Sequence, residues 1–151
     1  MNKIEKQNLY KEATVFYELA ECGRNNIPEK ENVESYIPYI VNMSFATELY
    51  FKLLLINNGK TIDKVKVLNH NLYDLYNELE EKQKDKIYEM FKRPIIYSIP
   101  NELNKIATAF PDWRYLVLNK ANQKNKKLQF SPYFIKELNE ILRDICNDII
   151  K

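Results

Sequence analysis

SYIPYIVNMSFATELYFKLLLINN, running from Ser35 to Asn58, is the most apolar stretch of the chain, and its reading decides the fold. It predicts one long helix. Pro38 lies near the start, where a missing backbone N–H costs nothing, and Gly59 follows the end, where a left-handed residue usually closes a helix. Large apolar side chains almost encircle the segment, from Tyr39, Ile40 and Met43 through Leu49, Phe51 and Leu53 to Ile56. A helix apolar on nearly every side is normally wrapped by other helices. Asn42, Ser44, Thr47, Glu48 and Lys52 interrupt the run, so it is expected to form a core helix rather than to span a bilayer.

Ser44, Glu48 and Lys52 are spaced four apart and share one face. Glu48 preceding Lys52 by four is the favourable order for an intrahelical ion pair. Two readings stand open: a solvated strip on a buried helix, or a partly buried polar site whose charges must find partners, because an unpaired buried charge costs several kcal/mol.

The remaining composition narrows the class. At 151 residues the chain is expected to be a single domain, 1–151, with a core of its own. Two glycines argue against sandwiches, barrels and glycine-rich phosphate loops, and in favour of helices. A net charge of +2 gives no bulk electrostatic signature of a nucleic-acid binder. Cys22 and Cys146 match no metal or redox spacing and read as free thiols in a reducing cytoplasm. The opening residues, MNKIEKQNLYKEA, have no hydrophobic signal region. No cofactor, no metal site and no membrane partner are expected.

Outward from the central segment, a first helix is expected from Lys3 to Cys22, with Leu9, Ala13, Phe16 and Ala20 on its inner face and Gly23 ending it. A charged loop follows to Glu34; its Arg24, Asn25 and Asn26 read either as solvated loop or as a phosphate contact. Lys60 to Asn69 reads as a basic connector. An amphipathic helix starts near Asn71 with Leu72, Leu75, Tyr76 and Leu79 inward, and another spans Glu80 to Phe91 until Arg93-Pro94 breaks it. Helical spacing resumes from Ser98 to Phe110, Pro111 interrupts, and Asp112 is placed to cap the following turn. Asn119 to Gln129 is polar and basic, a mobile loop or a frayed helix end. The last helix is capped by Ser131, carries Pro132 in its first position and repeats Phe134, Leu138, Ile141, Ile145 and Ile149. The expected architecture is all-α: an up-and-down antiparallel bundle of about five principal helices.

Three pieces occur in order: ATELYFKLLL in the central helix, NHNLYDL at the start of the next amphipathic one, and AFPDWRYLV around Trp113. Together they resemble the HEPN superfamily of small helical domains, over Ala13 to roughly Ile149. The resemblance implies a four- or five-helix bundle, commonly a homodimer, and a role in RNA or nucleotide binding or RNA cleavage, often within toxin–antitoxin or defence systems. The family's ribonucleases carry Arg followed after four to six residues by His. Here the matching Arg114 is followed by Tyr115, Leu116, Val117, Leu118, Asn119 and Lys120, with no histidine; the single His of the chain is His70. Asn119 stands where a ribonuclease could carry its His, and an amide does not exchange a proton near neutral pH.

The candidate binding residues are therefore Arg114, Trp113, Tyr115, Lys52, Asn119 and Lys120. Trp113 and Tyr115 could stack on a base or on the guanidinium of Arg114, or fill the core while Arg114 pairs with Asp112 or Glu48. Lys120, Lys124, Lys126 and Lys127 read as a solvated loop or as a phosphate-backbone contact. His70 is expected to accept from a helix N-terminal N–H through one ring nitrogen and to donate to Glu48 through the other. Three functions follow as expectations. The first is an interaction domain that binds RNA, a nucleotide or a protein partner without standard ribonuclease catalysis. The second is a divergent, metal-independent ribonuclease using Arg114 with His70 or Glu48. The third is an antitoxin-like scaffold acting only through protein contact.

Overall fold

The computed structural model describes residues 1–25, 36–92, 98–113 and 131–151. Among the described residues there are eight helices and no strand: α1 (Lys3–Asn25), α2 (Ile37–Asn57), α3 (Ile62–Val67), α4 (Leu72–Asn77), α5 (Glu81–Met90), α6 (Ile99–Lys105), α7 (Ala109–Trp113) and α8 (Pro132–Ile150). Five of them have seven residues or more, so the fold is the all-α bundle read from periodicity.

The frame is set by α1, α2 and α8, whose polar contacts fix their directions. Lys6 near the start of α1 reaches Asn57 at the end of α2, while Arg24 at the end of α1 lies over the ring of Tyr39 near the start of α2, so these two run antiparallel. Lys3 and Gln7 meet the carbonyls of Lys151 and Ile150, and Lys136 pairs with Glu21, so α1 is also antiparallel to α8. The Tyr39 hydroxyl donates to the Pro132 carbonyl and the Cys146 thiol to that of Tyr50, which makes α2 and α8 parallel. The intervening helices close the bundle: α3, α4 and α7 pack on α2, α6 on α4, and α5 on α8.

The core of α2 is close to complete. Tyr39, Ile40, Met43, Ala46, Leu49, Tyr50, Phe51, Leu53, Leu54 and Leu55 are all buried. Each large apolar side chain so placed contributes roughly 1.5–3 kcal/mol, which makes α2 the main source of hydrophobic stabilisation. By length and composition alone α2 would reach across a membrane, contrary to the reading that its polar residues break the run; 72% of its apolar window is instead buried inside the bundle.

Local chemistry accounts for the helix ends. Pro38 sits in the first turn of α2. At its other end Gly59 adopts φ 88°, Lys60 N–H donates to Leu55 O and Gly59 N–H to Ile56 O, the paired bonds of a Schellman closure. The Thr61 side chain accepts from Lys64 N–H, Asn71 from Tyr73 and Asp74, Ser98 from Asn101 and Ser131 from Phe134.

Several boundaries differ from the expectations. α1 continues through Gly23 to Asn25, because a glycine within a packed helix costs only about 1 kcal/mol and does not by itself end it. The basic connector after Gly59 contains α3, started by Thr61. The helix from Ser98 to Phe110 is two helices, parted at Ile106–Thr108. Pro111 lies inside the first turn of α7, where its absent N–H has no intrahelical acceptor, and Asp112 is within that helix rather than before it. The break assigned to Arg93-Pro94, the loop Asn26 to Glu34 and the basic segment Asn119 to Gln129 lie outside the described residues.

Candidate functional site

The polar stripe of α2 is not a solvated strip. Ser44 and Thr47 are fully buried and Glu48 is 1% exposed, whereas Lys52 and His70 reach the surface with side chains 18% and 43% exposed. Lys52 Nζ lies 2.6 Å from Glu48 Oε1, one turn further along the same helix. His70 Nδ1 lies 3.0 Å from Oε1 and 2.9 Å from Oε2. One buried carboxylate is thus held between an ammonium and an imidazole, both of which have access to water.

The position of His70 follows from local sequence. Leu68 is the C-cap of α3, and Asn69 takes the left-handed conformation at φ 50°, which asparagine tolerates better than most residues. Asn69 N–H closes onto Lys66 O, and Asn71 opens α4 as its cap. His70 therefore occupies the apex between a helix stop and a helix start. Leu72 N–H donates to Ala107 O at 2.9 Å and ties this apex to the break between α6 and α7. The His70 ring packs against Phe110 with centroids 5.2 Å apart, Phe110 stacks on Phe45 at 4.3 Å, and Phe45 meets Phe16 edge-on at 4.4 Å.

This arrangement defines a tautomer. A carboxylate only accepts, so Nδ1 carries the proton that binds Glu48, and in the neutral ring Nε2 presents a lone pair. Nε2 has no hydrogen bond among the described residues. A cleft of about 430 Å³ lies at this point, lined by His70, Asn69, Asn71, Asp74, Thr108 and Pro111. Imidazole oriented by a buried carboxylate and open on its second nitrogen is the geometry of a general base, or of a directed hydrogen-bonding group. The expectation that His70 donates to Glu48 describes this contact; the expectation that its other nitrogen accepts from a helix N-terminal N–H does not hold among the described residues, because Nδ1 is engaged by Glu48 and the α4 N–H groups of Tyr73 and Asp74 are taken by Asn71.

Of the sequence-derived candidates, Glu48, Lys52 and His70 converge on one site. Trp113 ends α7, the helix whose Phe110 touches His70. Arg114, Tyr115, Asn119 and Lys120 follow it in the chain and lie outside the described residues. Pairing of Arg114 with Glu48 would have to compete with two donors already in place. No group of three His, Cys, Asp or Glu side chains able to hold a metal occurs among the described residues.

Sequence reasoning passed over three residues. Asn139 is fully buried on α8, where its amide donates to Met43 O at 3.3 Å, Thr47 Oγ1 at 2.9 Å and Ile135 O at 2.9 Å. Its spacing with Ile135, Leu142 and Cys146 on one helical face was the available signal. Glu102 is 3% exposed and paired with Lys105 at 2.6 Å. Asp74, in the first turn of α4, lines the His70 cleft and makes no ion pair among the described residues.

A second depression of about 550 Å³, lined by Lys92, Tyr133, Lys136, Glu137 and Glu140, is less suited to a ligand. Its charges already serve the fold: Lys136 pairs with Glu21, and Glu137 accepts from Lys92 N–H.

Comparison with protein-family models, with curated proteins and with solved structures returns no match for this chain.

Proposed function

We propose that this protein is a HEPN-like, cytoplasmic helical domain, acting as a homodimer, that binds RNA or a nucleotide on the side of α2 where the Glu48–His70 pair meets α7. The observation that carries this reading is the His70–Phe110 contact. It sets an oriented imidazole beside the helix that leads directly into Trp113, Arg114 and Tyr115, two aromatics flanking a guanidinium. Lysines at 120, 124, 126 and 127 follow, a supply of cations for a phosphate backbone. The missing histidine after Arg114 favours binding over standard ribonuclease chemistry.

The test is binding of a labelled mixed-sequence oligoribonucleotide and of AMP to the full chain and to Arg114→Ala, with thermal melting run on both. The expected result is RNA or nucleotide binding that Arg114→Ala weakens at least about tenfold, with the melting temperature held, as befits loss of a charge-assisted contact. No binding of either probe, or binding indifferent to the substitution, overturns the reading.

The Glu48–His70 geometry specifically favours one second reading, a divergent ribonuclease in which His70 Nε2 serves as base. The same assay reports on it: shortened RNA in the presence of a chelator, lost in His70→Leu, supports cleavage, and RNA left intact at high protein concentration excludes it.

A further inference from the structure

We infer that the cleft beside His70 reads the 2′-hydroxyl of RNA; this rests on the RNA-binding reading and deepens it. The argument is one of charge and hydrogen-bonding capacity. The Glu48 charge is matched by Lys52 at 2.6 Å, so nothing in the pair requires His70 to be a cation. Asp74 brings a further carboxylate to the wall of the cleft. With Glu48, Lys52 and Asp74 counted, the site has no positive surplus, and Asp74 faces an entering phosphate with like charge. The cleft is therefore poorly built for the anionic part of a nucleotide.

It is well built for a hydroxyl. Neutral His70, its proton held on Nδ1 by Glu48, offers Nε2 as an acceptor. Protonated His70 offers Nε2–H as a donor. A hydroxyl answers either state: it donates its one proton to the neutral ring, or it accepts from the protonated ring and donates that proton to the Asp74 carboxylate on the cleft wall. The 2′-hydroxyl is the group by which a protein separates RNA from DNA at one nucleotide. Glu48 acts here as a positioning residue: buried and held by Lys52, it holds the ring by Nδ1 at the cleft wall and leaves Nε2 without a protein hydrogen bond among the described residues. A site that hydrogen-bonds a hydroxyl discriminates strongly against the analogue lacking it, because its own polar groups are then left unpaired.

The experiment compares one mixed-sequence oligonucleotide as RNA, as DNA and as 2′-O-methyl RNA, on the full chain and on His70→Leu and Asp74→Ala. The wild-type chain should bind RNA about tenfold or more tighter than DNA, the scale of one hydrogen bond to a charged or oriented partner. The 2′-O-methyl strand should fall to the level of DNA despite keeping the RNA helical preference. His70→Leu should lower RNA affinity to the DNA value while leaving DNA affinity unchanged, and Asp74→Ala should reduce the preference for RNA in part. Equal binding of RNA and DNA by the wild-type chain, or a preference that survives both substitutions, overturns the hydroxyl-reading role and leaves the RNA-binding reading standing. Failure of all three strands to bind overturns both.

Discussion

Glu48 is the residue whose environment is most demanding. Its carboxylate has left water almost completely and is held by two independent donors, Lys52 and His70. Either one still leaves the charge paired; removing both strands it. Breaking a buried pair outright costs about 3–5 kcal/mol, whereas losing one of two hydrogen bonds to a charged group costs about 1.5–3 kcal/mol. Lys52→Met and His70→Leu should each destabilise the protein modestly, and the double variant should lose at least about 1 kcal/mol more than their sum. Urea denaturation of the four proteins closes the cycle, and strict additivity would show that the carboxylate finds other compensation. Ser44 poses the opposite case on the same stripe: its hydroxyl is fully buried with no hydrogen-bond partner among the described residues, as is the Oδ1 of Asn139. These two orphaned oxygens lie on the α2 and α8 helices that Asn139 itself ties together through Met43 and Thr47.

At the scale of the element, the two glycines separate what a helix tolerates from what its termination requires. Gly23 lies within α1 and Gly59 closes α2 at φ 88°, and a methyl group added at either would meet nothing within 4 Å. Sterics with the rest of the protein therefore do not distinguish them; backbone conformation does. Gly23→Ala should stabilise by about 0.5–1 kcal/mol, since alanine loses less entropy in a helix. Gly59→Ala should destabilise by about 1 kcal/mol or more, because an L residue is strained in the left-handed region. Chemical melts of the two variants should move in opposite directions; a common direction would contradict the assignment of one helix interior and one helix closure. The short helices α3 and α4 matter for their junction rather than their length. Together with the left-handed Asn69 they turn the chain so that His70 faces α2.

At the scale of the whole molecule, the packing of α1, α2 and α8 sets the response to alkali. Burial pushes the Tyr17 hydroxyl up from 10.0 to about 12, with the Glu140 and Glu21 charges adding to it. Burial likewise raises Tyr39, Tyr50 and the Cys146 thiol. For such acids the folded chain holds its proton where the unfolded chain releases it. The associated stability is fully present below the unfolded values, 9.0 for Cys and 10.0 for Tyr, and is lost as pH rises through the folded ones. Each unit of separation corresponds to about 1.4 kcal/mol per group. Denaturant midpoints should hold steady toward pH 9 and then fall progressively above pH 10. Tyrosinate absorbance should appear together with unfolding rather than before it; tyrosines titrating freely in the folded chain would contradict the burial.

Apolar periodicity was enough to specify the helices that supply the core. The run from Tyr39 to Ile56 and the Phe134–Ile149 repeat could satisfy their side chains in no other way than by mutual burial. Cap chemistry at Ser131 was legible for the same reason, since the donor it satisfies lies within four residues. The fate of Ser44, Glu48 and Lys52 was not legible, because a polar stripe at helical spacing looks identical whether water or another helix covers it. Only the packing, which lays Asn139 of α8 on Thr47 and brings His70 across 22 positions to the Glu48 carboxylate, decided that the stripe is buried. Local sequence determines which segments must be helical; the pairing of distant polar groups is decided by how those helices pack, since a buried charge takes its partner from whichever element the fold lays beside it.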